Sequence, residues 1–214
     1  MPTEPTLNWS EALHSKRFVA LAIATFAGLI AAMLSLNTFL HFNETRHGVQ
    51  LIDPVLPHLP ARDSSWLLFG TIYGLVFLAL GRLARKPRAL LIALQAYALL
   101  IFVRIAMMYC IPLEPPPGMI VLQDPFVRAF GDGNDLVKDL FFSGHTSTTF
   151  LCALTVTAKP LRLLCLAASG CVAVLVLVQH THYTIDVLVA PFVAFTALHA
   201  AQSFTASVLD TPRR

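Results

Sequence analysis

The stretch "FVALAIATFAGLIAAMLSLNTFL", residues 18–40, runs for 23 positions without a charged residue or a proline. A bilayer-spanning helix needs about 20 mostly apolar residues. Lys16 and Arg17 precede the run, as they do in a secretory signal, but the apolar region of a signal is only about 7–15 residues long. The run therefore reads as a first membrane-spanning helix. The whole chain agrees: 56% of its 214 residues are hydrophobic, 13% are charged, and the mean hydropathy is +0.68. A soluble domain carries about 25% charged residues.

Five further stretches have the same character: 65–83, 88–110, 143–158, 161–179 and 184–206. The first run extends to about 18–41 with its flanks. The expectation is an all-α, polytopic membrane protein with six spans in a single membrane domain, 1–214. Two of the spans meet at "AKPLR" (158–162), where Pro160 is welcome at a helix start and disruptive inside one. Two long connections, 42–64 and 111–140, are rich in proline and lack long apolar runs. They are expected to fold over one membrane face.

Basic residues collect on the cytoplasmic side of membrane proteins. With the N-terminus placed there, ten fall inside, among them Arg82, Arg85, Lys86 and Arg88. Four fall outside: Arg46, Arg62, Arg128 and Lys138. Both termini are expected in the cytoplasm. Short loops and the want of a targeting signal beyond the first helix suggest a bacterial inner membrane. A net charge of +3 offers no patch for nucleic acid. The four cysteines have no metal-ligand spacing and read as buried or lipid-facing thiols.

Two segments do not fit a purely structural role. "FFSGHTSTTF" (141–150) and "QHTHYTIDVL" (179–188) put titratable groups where spans begin. The chain crosses the membrane twice between His145 and His182, so both return to the same face. Asp186 follows His182 by four residues, a spacing that aligns side chains on a helix. A carboxylate there can fix the imidazole tautomer and leave the other nitrogen free to attack. An attacked phosphorus would give a phosphohistidine, and His145 is the candidate general acid for the leaving oxygen. Ser143, the backbone near Gly144 and the helix start are candidate phosphate donors. Arg104, toward the outer end of the third span, could add a planar fork for phosphate or merely snorkel to the interface. Asp139 could tune His145 or contact a headgroup. The scheme calls for no metal or other cofactor.

"SGHT" followed by "HYTID" resembles the sphingomyelin synthase branch of the type 2 phosphatidic acid phosphatase superfamily, and "RIAMMYCIPLEPP" (104–116) resembles that branch less tightly. The resemblance covers residues 104–190. It implies a six-helix membrane core, His145 as acid, His182 as nucleophile and Asp186 as its partner. The expected activity is phosphoryl-headgroup transfer or phospholipid phosphodiester hydrolysis. The expected partners are a membrane lipid and a lipid or water acceptor.

Two departures separate the chain from the plain phosphatases of that superfamily. Phe142 stands where they carry proline, and Val176-Leu177 stand where they carry a serine-arginine pair. Lipid phosphate hydrolysis is the enzyme alternative. A transporter relaying protons through histidines is the alternative of another class, and it calls for ionisable groups deep in several spans. His180 and His182 form a His-x-His that could hold zinc in non-helical backbone. "GDGND" (131–135) could be a calcium loop, but it lacks the distal glutamate of one.

Overall fold

The computed structural model describes residues 8–122 and 136–210. It is all-helical over these residues, with seven α-helices and no strand longer than a single bridge. They are α1 (Trp9–His14), α2 (Lys16–Glu44), α3 (Ser65–Leu83), α4 (Pro87–Cys110), α5 (Gly144–Thr155), α6 (Lys159–Val178) and α7 (Thr184–Leu209). A 3-10 turn occupies Leu56–His58. The calcium-loop motif at 131–135 lies outside the described residues.

Five helices are long and apolar enough to cross a membrane: α2, α3, α4, α6 and α7. The chain is thus an integral membrane protein, and those spans fall where hydropathy puts them. The expected span 143–158 is different. Its helix is 12 residues long, about 18 Å at about 1.5 Å per residue. The hydrocarbon core is about 30 Å thick. Val156 and Ala158 are extended, so the remaining chain covers distance at about 3.3 Å per residue. Thr155, Val156 and Thr157 are β-branched, which weakens the helix there.

A short, hydroxyl-rich helix is tolerable at membrane depth only where protein surrounds it. That is the position of α5, which packs against α3, α4, α6 and α7. No residue from Gly144 to Val156 is exposed. By contrast α2 touches mainly α4 and leaves Ile23, Phe26, Ile30 and Leu34 open, a lipid-facing row. α7 presents Ile185, Leu188, Phe192 and Phe195 outward and buries Ala190, Ala194, Ala197 and Ala201. These small residues let α7 approach α4 and α5 closely, the usual basis of helix association in lipid.

Polar contacts tie the bundle at both ends. At one end Arg88 makes a bidentate pair with Asp210, at 2.8 and 2.7 Å, joining the start of α4 to the end of α7. The Trp9 indole N–H donates to the Ala84 carbonyl nearby in the fold, anchoring α1 to the end of α3. At the other end Val49 pairs with the 112–114 backbone. A Cβ at Gly48 would lie 2.6 Å from the Leu113 carbonyl carbon, so only glycine fits. Lys138 donates its ammonium to Glu114, at 3.0 Å, and to the Arg46 carbonyl, at 2.6 Å.

Within the bundle, Gln95 of α4 donates to Thr25 of α2 at 3.0 Å and accepts from Thr205 of α7 at 2.7 Å. Such bonds average about 0.6 kcal/mol each in a membrane, so Gln95→Leu, which loses both, is expected to lower stability by about 1 kcal/mol. Equilibrium unfolding of the purified protein in mixed micelles measures it.

Candidate active site

The site begins with a turn buried in the protein. Residues 179–183 link α6 to α7, and all five are buried. A buried turn must give every polar group a protein partner. Gln179 accepts from the Ser64 N–H and hydroxyl and donates to the Ser65 hydroxyl. Its carbonyl receives the Ile120 N–H. Thr181 donates to the Val176 carbonyl at 3.1 Å. The Tyr183 hydroxyl donates to the Glu114 carbonyl at 2.9 Å and accepts from the Leu51 N–H at 3.3 Å.

His180 takes a left-handed conformation, φ 57°. Its two ring nitrogens lie 3.0 Å from the carbonyls of Pro117 and Leu59. Both nitrogens are therefore occupied by the two loops, and the His-x-His pair is split between two tasks. His180 fastens the loops, and no group of three or more potential metal ligands occurs among the described residues.

His182 is 1% exposed and Asp186 is fully buried. His182 precedes α7 and is not part of it, yet its Nδ1 lies 3.4 Å from Asp186 Oδ2. The same oxygen accepts the Tyr183 N–H at 2.9 Å. Asp186 thus holds both the imidazole and the backbone that carries it. The contact orients Nδ1 toward the carboxylate and leaves Nε2 on the far side of the ring. A 3.4 Å separation is long for such a bond, and catalytic bonds commonly tighten once substrate is in place.

His145 reaches the same place from α5. Its ring centroid is 6.0 Å from that of His182, edge on, and 5.8 Å from that of Phe69. Ser143 caps α5 by accepting the Thr146 N–H at 3.3 Å, and its own N–H donates to the Asp186 carbonyl at 3.2 Å. That bond ties the start of α5 to the start of α7, so the two histidine segments are fixed to each other directly. The return of the chain to one end of the bundle follows from the α5–α6 hairpin.

Arg104 approaches from α4. Its Nε donates to the Phe142 carbonyl at 3.1 Å, and its Nη2 lies 2.7 Å from Asp139 Oδ1. Gly144 is the reason it fits, because a Cβ there would lie 2.5 Å from the guanidinium carbon. The cation thus rests on the first turn of α5, where helix N–H groups also collect positive potential. Asp139 serves Arg104. Phe142, at the proline position of the phosphatases, is fully buried in the core with Leu100 and Ala194.

Sequence reading locates His145, His182, Asp186, Ser143, Gly144 and Arg104, and they come together at one end of the bundle. It misses Gln179, Tyr183 and the loop residues Asp53 and Glu114. Their partners lie far off in sequence, and only the buried polar character of "QHTHY" gives a hint.

Residues 138–203 match the family model described as PAP2 superfamily C-terminal. The match takes in both histidine segments and most of α7. No curated protein matches the chain. Together with the membrane helices, the match supports the type 2 phosphatidic acid phosphatase superfamily and chemistry on lipid phosphoesters.

Gly144→Ala is expected to displace Arg104 from the start of α5. Turnover should drop by at least about 100-fold, about 2.7 kcal/mol of barrier, while the unfolding midpoint moves only modestly. Initial rates beside a thermal melt separate the two effects.

Proposed function

We propose that this protein is a membrane-embedded enzyme of the sphingomyelin synthase type, moving a phosphorylated headgroup from a phospholipid to water or to a second lipid alcohol. The observation that carries the reading is the pairing of the His145 and His182 rings, 6.0 Å apart, with Asp186 held on His182 Nδ1.

In the first half-reaction Nε2 of His182 attacks the phosphorus. A nitrogen–phosphorus bond forms, the bond to the glycerol oxygen breaks, and His145 gives that oxygen its proton. Diacylglycerol leaves. Asp186 stabilises the positive charge that develops on the His182 ring. In the second half-reaction water or an alcohol attacks the phosphorus, His145 takes its proton, and His182 is released. Arg104 and the first turn of α5 supply the positive potential that the equatorial oxygens require.

Charge favours a diester over a monoester. A phosphodiester carries one negative charge, a phosphomonoester up to two. Where the plain phosphatases place a serine-arginine pair, the chain has Val176, fully buried in one cluster with Leu68, Phe69 and Val172, and Leu177, partly buried against that cluster. Neither residue supplies a second phosphate-binding cation. Lipid phosphate hydrolysis is the reading that a retained arginine would have favoured.

The site end is proposed to face the outer leaflet. Arg82, Arg85 and Lys86 lie at the ends of α3 and α4 opposite the histidines, which matches a cytoplasmic placement for them. The proposed mechanism calls for no metal.

Purified protein is to be incubated in EDTA with headgroup-labelled phosphatidylcholine, phosphatidylethanolamine, phosphatidylglycerol and phosphatidic acid, with products resolved by mass spectrometry. Diacylglycerol with a phospho-headgroup or a new headgroup lipid is expected. An alkaline denaturing quench, which spares a nitrogen–phosphorus bond, should trap label on wild type and none on His182→Ala. Free phosphate from phosphatidic acid alone would sink the diester reading, and full turnover by His182→Ala would sink the mechanism.

For orientation, single cysteines at the exposed positions Ala61 and Arg85 are to be introduced into a chain lacking the native four. A membrane-impermeant maleimide on intact cells is expected to label position 61 and spare 85. The reverse pattern would put the site in the cytoplasmic leaflet.

A further inference from the structure

The loop between α2 and α3 carries a carboxylate that the chemistry above does not use. Asp53 is 9% exposed, although its neighbour Ile52 is fully exposed. Both oxygens are engaged. Oδ2 accepts the Thr184 N–H at 2.6 Å, and Oδ1 accepts the Thr184 hydroxyl at 2.9 Å. Oδ1 also accepts the N–H groups of Val55, at 2.8 Å, and Leu56, at 3.0 Å.

Thr184 is the first residue of α7. Its N–H is one of the donors that a helix start leaves without an internal partner. Tyr183 provides no side-chain cap hydrogen bond at the N-cap. A carboxylate delivered from 131 residues away fills that place, with the helix dipole adding to the attraction. Burial by itself pushes the Asp53 carboxyl up, but the donated hydrogen bonds outweigh it and hold the group below its ordinary value. The carboxylate form is therefore the one the fold requires.

The geometry points to Asp53 as a positioning residue that acts through Thr184 on the His182–Asp186 pair. This rests on His182 being the working nucleophile. Thr184 stands two residues after His182 and two before Asp186, so it lies midway between the two groups whose contact sets the free nitrogen. That contact is 3.4 Å, at the limit of a hydrogen bond. A drift of the first turn by a fraction of an ångström decides whether it forms. The Asp53 carboxylate accepts two hydrogen bonds from Thr184 and two from Val55 and Leu56 of its own loop, and so fixes the turn against a loop that is itself fastened by His180 at Leu59.

The test compares Asp53→Asn and Thr184→Val with Thr184→Ser, which keeps the hydroxyl. Asp210→Asn is the control, since it removes a carboxylate from the opposite end of α7. Histidine accessibility is read by diethyl pyrocarbonate, with modified positions assigned by tandem mass spectrometry. This readout needs no substrate. In Asp53→Asn and Thr184→Val, His182 is expected to react at least about five-fold faster than in wild type, about 1 kcal/mol of eased opening, with His145 unchanged. Thr184→Ser and Asp210→Asn should keep the wild-type rate. With whichever lipid of the labelled set wild type turns over, kcat should fall at least about tenfold, about 1.4 kcal/mol of barrier, at a KM within twofold of wild type.

Wild-type reactivity at His182 in both loss variants overturns the proposal. So does an equal rise at every histidine, which marks general loosening. A local rise at His182 without any lipid turnover by wild type keeps the positioning role and sinks the enzymatic reading instead. Should Asp53→Asn fail to fold, the contrast between Thr184→Val and Thr184→Ser decides alone.

Discussion

Burial of the α6–α7 turn is the constraint on which the rest of the site depends. Two membrane helices can be joined by any solvated loop, and such a loop costs the fold little. Here residues 179–183 sit under two loops and beside α3, with every residue shielded. Each unpaired polar group in that place would cost about 1–3 kcal/mol. The fold meets this by recruiting partners from everywhere: Ser64 and Ser65 at the start of α3, Leu59 and Pro117 in the loops, Glu114 beyond α4, Asp53 over α7. The nucleophilic candidate's turn is thereby held from the α2–α3 loop, the start of α3 and the segment after α4.

The same constraint explains why the central helix is short. α5 brings His145 to His182, so its start must lie level with the end of α6. Its far end must also meet the start of α6 after a connection of three residues. A continuous helix of the same 15 residues would cover about 22 Å. α6, at 20 residues, covers about 30 Å. Unwinding residues 156–158 into extended chain recovers much of the difference. Protein surrounds the helix and Val156, so the cost of lipid-exposed backbone does not arise up to that point.

This is also where sequence reading succeeds and where it stops. α2, α3, α4, α6 and α7 could be read because lipid-facing helices must be apolar along their length, and that property is local. α5 faces only protein, so hydropathy had no reason to mark its end. The His182–Asp186 pair was legible because its members are four residues apart. The Arg104–Asp139 pair joins positions 35 apart, and the Asp53–Thr184 bonds join positions 131 apart. No periodicity links such residues. "LIDPV" reads locally as an aspartate-proline turn, and its Oδ1 does make that turn with Val55. The second oxygen, committed to α7, leaves no trace in the loop's own sequence.

Electrostatics sets how these parts work together. Arg104 is a buried cation paired with one carboxylate, Asp139, and seated on a helix start that already favours anions. Its guanidinium is held by that carboxylate at 2.7 Å and by the Phe142 carbonyl at 3.1 Å, with the Asp139 side chain a quarter exposed. Arg104 is thus locked in place before any substrate arrives, and its field toward the histidines is partly offset by Asp139. A cation so compensated suits a singly charged phosphodiester better than a dianion, for which full positive charge would be needed. Val176 and Leu177, in place of a serine-arginine pair, add no further positive charge. Both features bear on the headgroup side of the reaction, and they point the same way. On the proposed mechanism, selectivity between diester and monoester would then come from what surrounds the histidines, since the two histidines and Asp186 would serve either substrate.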